Sequence, residues 1–199
     1  MEPSIEQLDK SGKLERAQRV TVLSTGAWGV VLSRHLALAG HEVCAYDLPD
    51  VIETLSETRS HPKLDDFQLP EGLKLTSDLE EAILEHRPDC LVVTTPGQIM
   101  RKVAEKVHAL LGEDVDAGPP WVLCNKSLEE DTLLTMAGVV ESIRGAAMRR
   151  RTAVLSGPSF AAEVAKFRPT TVAAASESPE LSVYVQSLFM TEYFRVYTQ

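Results

Sequence analysis

Residues 19–40, RVTVLSTGAWGVVLSRHLALAG, carry the clearest structural signal in this sequence. The stretch begins with an apolar, β-branched run that predicts a strand over 19–24, and an amphipathic segment that predicts a helix over 29–39 follows. Gly40 comes directly after that segment, as is common at the C-terminal end of a helix. The sequence therefore predicts a strand, a glycine-containing turn and a helix in direct succession.

The same alternation continues along the chain and predicts an α/β fold with a mostly parallel sheet. Further strands are predicted at 43–46, 73–75, 90–95, 121–124, 153–155, 170–175 and 194–197. Further helices are predicted at 51–58, 77–85, 98–111, 131–144, 159–167 and 179–189. Ser77 and Glu80 have the spacing of a capping box, and Ser178 before Pro179 predicts a second cap. A polar arm, 1–18, precedes one domain, 19–199.

Composition and charge exclude several classes of protein. With 199 residues, 44% of them hydrophobic, the chain can fill one core. Its net charge is -9 and its basic residues are scattered, so we expect no nucleic-acid partner. Its apolar runs are far shorter than the roughly 20 residues of a membrane span, and its first twenty residues lack an apolar signal segment. We expect a cytoplasmic protein without a membrane association.

Cysteine and histidine residues show no metal-binding pattern, and no metal is predicted. The three cysteines, Cys44, Cys90 and Cys124, each lie in a short apolar run, which favours reduced thiols in the core. The five histidines show no metal-ligand spacing, and we interpret them as surface or helix-face residues. They are His35, His41, His61, His86 and His108.

The turn in 24–29 has the pattern of a dinucleotide-binding loop. Gly26 and Gly29 match the second and third glycines of G-x-G-x-x-G, whereas Ser24 stands where the first should be. Glycine is needed there because a Cβ would block the approach of backbone N–H groups to a pyrophosphate. This turn indicates a Rossmann-like, doubly wound fold, although by itself it is weak evidence for nucleotide binding.

Asp47 follows the second predicted strand, about 20 residues beyond the turn, where an acidic side chain can accept hydrogen bonds from an adenosine ribose. Its carboxylate would repel a 2′-phosphate. The alternative is a strand-end turn residue that acts together with Pro49 and Asp50.

Three segments together resemble the N-terminal domain of NAD(P)-dependent sn-glycerol-3-phosphate dehydrogenase. They are TVLSTGAWGVVLSRHLALAGHEV (21–43), CNKSLEEDT (124–132) and AVLSGPSFAAEVAKFRPT (153–170), and the resemblance extends from about residue 20 to the end of the chain. It implies hydride transfer between sn-glycerol 3-phosphate and NAD, giving dihydroxyacetone phosphate and NADH.

The resemblance also implies roles for individual residues. Gly26 to Gly29 would lie under the cofactor pyrophosphate, with backbone contacts from Ala27 and Trp28. Pro96 would pack near the adenosine side of the cofactor.

Further along the chain, Lys126 matches a lysine that reaches both cofactor and substrate, and it is the catalytic candidate. Gly157 and Ser159 would lie near the substrate and Ala161 near the cofactor. We interpret Glu163 as a supporting residue of the same block rather than a catalytic one.

The chemistry agrees with these roles, because a dianionic substrate and a reacting carbonyl oxygen require a fixed cation and directed donors. Lys126 follows a predicted strand at the edge where α/β folds bind ligands, although a solvated surface lysine is the alternative. As sequence alone, Gly157 to Ser159 is equally often a helix cap and turn.

The sequence departs from the family in three respects. Ser24 and Ser127 place a Cβ where the family usually has glycine, which predicts weaker cofactor binding or shifted loops. NADP-preferring members tend to carry a basic residue just past the second strand, where this chain has Asp47, so NAD is the expected cofactor and NADP the less favoured one.

The third departure is the ending at Gln199, since the family's all-helical C-terminal domain, with a second lysine and a phosphate-binding arginine, would lie beyond it. The chain alone should then turn over poorly or not at all, and exposed apolar surface could make it a homodimer. Two alternatives remain: a non-catalytic dinucleotide-sensing module, and a relative that reduces a ketoacid or an imine.

Overall fold

Eight strands form one sheet in the computed structural model, which describes residue 8 and the ranges 14–115 and 118–199. The strands are β1 (Arg19–Leu23), β2 (Glu42–Tyr46), β3 (Lys74–Thr76), β4 (Cys90–Val93), β5 (Trp121–Leu123), β6 (Thr152–Ser156), β7 (Thr170–Ser176) and β8 (Phe194–Thr198). Their order across the sheet is β3-β2-β1-β4-β5-β6-β7-β8. Neighbouring strands are parallel except for the antiparallel pair β6–β7, which confirms the predicted Rossmann-like architecture.

Helices connect the strands in the described ranges. The α-helices are α1 (Ala27–Leu38), α2 (Pro49–Thr58), α3 (Gly97–Leu111), α4 (Met136–Arg144), α5 (Ala161–Ala165) and α6 (Pro179–Phe189), with a π-helical segment at Glu81–Glu85 and a 3₁₀ segment at Ala146–Arg151. Ser178 caps α6 as predicted, since its Oγ accepts a hydrogen bond from Leu181 N at 3.3 Å. No helix in the described part of the chain is both long and apolar enough to cross a membrane.

The sheet is buried on both faces, which explains the nearly continuous apolar character of its central strands. In β4, Cys90 and Val92 belong to the hydrophobic cluster on one face, and Leu91 and Val93 belong to the cluster on the other. All four residues are completely buried. Helices therefore cover both faces, and the strand ends are left as the places where a ligand can approach.

The predicted arm, 1–18, is described only at residue 8 and from residue 14 onward; 1–7 and 9–13 lie outside the described residues. Its last residues pack against the sheet. Arg16 forms an ion pair with Asp89 at 3.0 Å, and Gln18 is fully buried and accepts a hydrogen bond from the Tyr184 hydroxyl at 3.2 Å. In the predicted loop 112–120, residues 116–117 are likewise outside the described residues.

Helix α4 begins at Met136, and the predicted start at residue 131 is wrong. The backbone instead forms an isolated bridge between Leu128 and Thr135, and Leu133 takes a left-handed conformation with φ +56°. Thr135 then caps α4 by accepting a hydrogen bond from Gly138 N at 3.1 Å. The loop after β5 is consequently longer than predicted.

The expected capping box at Ser77 is also wrong. Asp78 Oδ1 accepts hydrogen bonds from Glu80 N at 2.8 Å and Glu81 N at 3.3 Å, so Asp78 performs the capping. The Thr76 hydroxyl donates to the Glu81 carboxylate, which draws the start of the segment toward β3. The following residues form a π-helical segment rather than a regular α-helix.

The three cysteines are free and buried, as predicted. Burial raises the pKa of the Cys44 thiol to about 11 and that of Cys124 to about 12, and it also raises the pKa of Cys90. A thiol with a raised pKa is protonated at neutral pH and reacts slowly. The cysteines therefore contribute to packing.

His35 is a core residue, which corrects its interpretation as a surface or helix-face histidine. It is 2% exposed, and its Nδ1 and Nε2 lie 2.7 Å from the Tyr193 hydroxyl and 2.8 Å from the Phe189 carbonyl oxygen. The ring also packs against Phe194, with ring centroids 4.7 Å apart. A buried histidine is tolerated there because both of its ring nitrogens have hydrogen-bond partners.

Candidate functional site

The glycine-containing turn joins β1 to α1 at the point where the strand order changes direction. Helix α1 begins at Ala27, two residues before the predicted start, and Gly26 is its N-cap. The first intrahelical bond runs from Val30 N to Gly26 O at 3.0 Å, so the N–H groups of Ala27, Trp28 and Gly29 precede it. These three groups and the helix dipole favour an anion at this end of α1.

Gly26 and Gly29 serve different purposes in the turn. A Cβ on Gly26 would meet no atom within 4 Å, so the space above this residue is open to a ligand. A Cβ on Gly29 would lie 2.0 Å from Ser24 O and 2.7 Å from Thr94 Oγ1. Gly29 is therefore required by the close approach of α1 to the ends of β1 and β4.

Ser24 occupies the position where a first glycine is expected, and it adopts a left-handed conformation with φ +82°. Neighbouring strands hold it there. Ser24 N donates to Tyr46 O at 2.9 Å, and the Thr94 hydroxyl donates to Ser24 O at 2.8 Å. Ser24 thus adopts a left-handed conformation that glycine would allow at lower cost.

Ser24→Gly should therefore stabilise the protein. Relief of the left-handed serine is worth about 1–2 kcal/mol. The added chain entropy of glycine and the loss of the 3.3 Å hydrogen bond from Ser24 Oγ to Asp47 offset part of it, leaving a gain of about 0.5 kcal/mol. For a chain of this length we expect the melting temperature to rise by about 1–2 °C. Differential scanning calorimetry measures the change. An unchanged or lower melting temperature would show that the serine side chain contributes more than its strain costs.

Asp47 follows β2 and is half-buried beside the turn. Its Oδ2 accepts hydrogen bonds from Thr25 N at 2.5 Å, Thr25 Oγ1 at 2.9 Å and Ser24 Oγ at 3.3 Å. Its Oδ1 accepts from Leu48 N at 2.8 Å. The carboxylate is thus fixed next to the turn, which combines the predicted position at the strand end with a structural contact that the sequence did not indicate.

Lys126 lies beyond β5, and its ammonium reaches the turn that follows β6. Nζ donates to Gly157 O at 2.8 Å and lies 3.3 Å from Ser159 Oγ. A Cβ on Gly157 would lie 2.9 Å from both Thr171 O and Val172 Cα, so glycine is required where the turn crosses β7. The structure therefore brings together Lys126, Gly157 and Ser159, the three residues that the family resemblance assigns to the substrate.

Lys126 also borders a cavity of about 460 Å³ between the ends of β5 and β6 and the start of α4. Leu123, Met136 and Val154 provide apolar walls. Asn125 lines the same space and fixes the loop by donating from Nδ2 to Thr95 O at 2.7 Å. A small molecule can therefore approach the lysine through this open pocket.

Pro96 and Ala161, the remaining predicted cofactor residues, lie at the same edge of the sheet. Pro96 is exposed and occupies the N-cap position of α3 after β4, and Ala161 is the first residue of α5 after β6. Glu163 is exposed on α5. All the candidate residues thus follow the carboxyl ends of strands that run parallel.

The sequence did not indicate which residues shape the glycine turn and the loop after β5. Thr25 and Thr94 hold the glycine turn, and the only sequence signal for Thr94 is its place in a polar pair at the end of an apolar strand. Gly97 makes room for Ser127, because a Cβ on Gly97 would lie 2.1 Å from Ser127 Oγ. The serine that departs from the family pattern is thus accommodated by a glycine on the neighbouring loop.

The sheet order, the open glycine turn at the start of α1 and the carboxylate at the end of β2 define a dinucleotide-binding α/β domain. Residues 19–182 match the family model described as NAD-dependent glycerol-3-phosphate dehydrogenase N-terminus. The chain belongs to this family.

Similar proteins carry the corresponding name. A glycerol-3-phosphate dehydrogenase [NAD(P)+] from Geobacter metallireducens is 40% identical over 184 residues, which cover 91% of this chain and 53% of that protein. The protein of the same name from Enterococcus faecalis is 36% identical over 183 residues, covering 91% of this chain and 52% of its own length. The chain spans about half the length of the curated relatives it matches.

A crystal structure of glycerol-3-phosphate dehydrogenase from Coxiella burnetii is similar to this chain, with a TM-score of 0.80 and 26% identity. The match covers 92% of this chain and 54% of that one. A structure from Dunaliella salina, 23% identical with a TM-score of 0.77, has the same fold over 92% of this chain and 34% of its own.

Proposed function

We propose that this chain is the cofactor-binding part of an NAD-dependent glycerol-3-phosphate dehydrogenase. The main observation that supports this proposal is a shared location. The glycine turn, Asp47 and the contact of Lys126 with Gly157 and Ser159 all lie at the carboxyl edge of one sheet. Family membership supports this assignment, as do the names of the relatives.

The residues at the glycine turn fit a dinucleotide. The space above Gly26, which a Cβ would fill, admits a pyrophosphate to the N–H groups of Ala27, Trp28 and Gly29. Asp47 accepts from the adenosine ribose and disfavours a 2′-phosphate, so NAD is the proposed cofactor and NADP the less favoured one. At the same edge, the proposal assigns cofactor contacts to three further residues: Pro96, Lys126 and Ala161.

The proposed reaction removes a hydride from C2 of sn-glycerol 3-phosphate and releases the proton of its C2 hydroxyl to water, leaving dihydroxyacetone phosphate. Bound NAD supplies the hydride acceptor. Lys126 places its ammonium at the C2 oxygen, where a fixed cation stabilises the charge that develops as the proton leaves. Gly157 O and Ser159 Oγ hold that ammonium in place, and the Ser159 hydroxyl itself donates to Gly157 O at 3.4 Å.

The described residues are proposed to supply cofactor binding, and turnover is proposed to require the part of the relatives that this chain does not cover. Leu128, Leu133 and Phe160 are 54%, 71% and 68% exposed in the loops after β5 and β6, and they support the proposal of a homodimer. Three free, buried cysteines are compatible with a reducing, cytoplasmic location, which is also part of the proposal.

Cofactor binding is tested by thermal unfolding of the chain in the presence of NADH or NADPH. A ligand at 100 times its Kd adds about 2.7 kcal/mol of stability, which corresponds to a rise of about 5 °C or more in melting temperature. We expect NADH to produce the larger rise at equal concentration. Equal rises would contradict the role of Asp47, and no rise from either would contradict cofactor binding.

Turnover is tested by fusing the chain to the C-terminal half of the Geobacter metallireducens relative. We expect the fusion to oxidise sn-glycerol 3-phosphate with NAD, and Lys126→Met to lower kcat by about 100-fold or more. Cofactor binding by a folded fusion that has no turnover would favour the sensing module. Turnover of a ketoacid or an imine in place of glycerol phosphate would favour the third interpretation.

A further inference from the structure

Asp47 has unequal hydrogen-bonding capacity on its two carboxylate oxygens. Three donors surround Oδ2, namely the N–H and hydroxyl of Thr25 and the hydroxyl of Ser24, at 2.5, 2.9 and 3.3 Å. Since a carboxylate oxygen offers two lone-pair directions, Oδ2 has no capacity left. Among the residues that the structure describes, Oδ1 accepts only from Leu48 N, at 2.8 Å, and so retains one lone pair.

Thr25 supplies two of these four donors. Its side chain is 1% exposed, which prevents water from replacing the hydroxyl. Rotating the Asp47 side chain about its Cα–Cβ bond would break both contacts, and hydrogen bonds to a charged group are stronger than neutral ones. The orientation of Asp47 is therefore set by a buried residue of the glycine turn.

We propose that Thr25 is a positioning residue that determines cofactor specificity through Asp47. It holds Oδ2 against the turn and leaves Oδ1 as the one oxygen that can accept a hydrogen bond from the ribose diol. A 2′-phosphate then meets a negative charge that cannot rotate away. This inference rests on the proposed NAD-binding function and names the residue that enforces the preference for NAD.

The test compares Thr25→Val, which has nearly the same shape without the hydroxyl, with Thr25→Ser, which keeps the hydroxyl. Isothermal titration calorimetry of the whole chain gives the Kd of NADH and of NADPH for each variant. We expect Thr25→Val to lower the ratio of the NADPH Kd to the NADH Kd by about five- to tenfold. Thr25→Ser should keep the wild-type ratio within about twofold.

A purely structural role would weaken both cofactors equally, so an unchanged ratio in Thr25→Val would overturn the inference. Thr21→Val is the matched control, because Thr21 is a fully buried threonine on β1 whose hydroxyl donates to Ala82 O at 2.7 Å. It should reduce stability and leave the ratio unchanged. A changed ratio in Thr21→Val would also overturn the inference, since loss of any buried hydroxyl would then suffice.

The failure of the inference and that of the proposed function give different results. A wild-type chain that binds neither cofactor overturns both. A wild-type chain that prefers NADH, with Thr25→Val preferring it equally, overturns the positioning role alone. If circular dichroism shows that Thr25→Val is unfolded, Thr25→Ala takes its place, because alanine also lacks the hydroxyl. The expected ratio of the NADPH Kd to the NADH Kd is the same.

Discussion

Gly29→Ala should destabilise the protein by about 3 kcal/mol, a large fraction of the stability of a typical domain. The new Cβ would lie 2.0 Å from Ser24 O and 2.9 Å from Ser24 C, and backbone atoms cannot move aside as the end of a flexible side chain can. Helix α1 would have to move away from β1. Urea unfolding followed by circular dichroism measures the loss.

The matched control is Gly26→Ala, because the same methyl group would meet no atom within 4 Å there. Gly26 has φ -59°, which alanine adopts without strain, so stability should stay within about 0.5 kcal/mol of the wild type. Binding of NADH should nevertheless weaken by about tenfold or more, since the methyl group occupies the proposed pyrophosphate space. Equal stabilities for the two variants would contradict the close approach at Gly29.

The sequence allowed the sheet and the order of its elements to be predicted because both depend on local signals. Strands buried on both faces are continuously apolar, as in β4, and the glycine turn marks the entrance to α1. The start of α4 was wrong because the bridge between Leu128 and Thr135 outweighs the local helical pattern of 131–135. Tertiary contacts of this kind override helix propensity.

The site shows the same division between local and long-range information. Parallel strands bring their carboxyl ends to one edge, so the sequence could place Lys126 and Ser159, 33 residues later, at the same edge of the sheet; the 3.3 Å contact between Lys126 Nζ and Ser159 Oγ is seen in the structure. The hydrogen bond from the Thr25 hydroxyl to Asp47 depends on side-chain rotamers, and no spacing of residues in the sequence predicts it. The partners of His35 lie more than 150 residues away along the chain, which is why its burial could not be predicted.

The stability of the protein should fall steeply between pH 6.5 and pH 4 because of His35. Burial lowers its pKa from 6.5 to about 4, although the hydrogen bond to Phe189 O raises it, and nearby His41 and Arg34 lower it further. The carbonyl requires a proton on Nε2, so the neutral ring accepts from Tyr193 through Nδ1. The folded state thus favours the neutral histidine, and the unfolded chain binds the proton more readily.

The sign follows from proton linkage: a base whose pKa is lower in the folded state contributes its full stability above pH 6.5, and loses it as the pH falls toward about 4. A shift of this size corresponds to about 3 kcal/mol.

His35→Gln removes this titration. In this window we expect the free energy of unfolding of the wild type to fall by about 1 kcal/mol more per pH unit than that of His35→Gln. His61→Gln is the control. Burial also lowers the pKa of His61, but its ring is half-exposed, whereas the ring of His35 is enclosed by its hydrogen-bond partners. Equal slopes for His35→Gln and the wild type in urea titrations from pH 4.5 to 6.5 would show that His35 is not the acid-sensitive group.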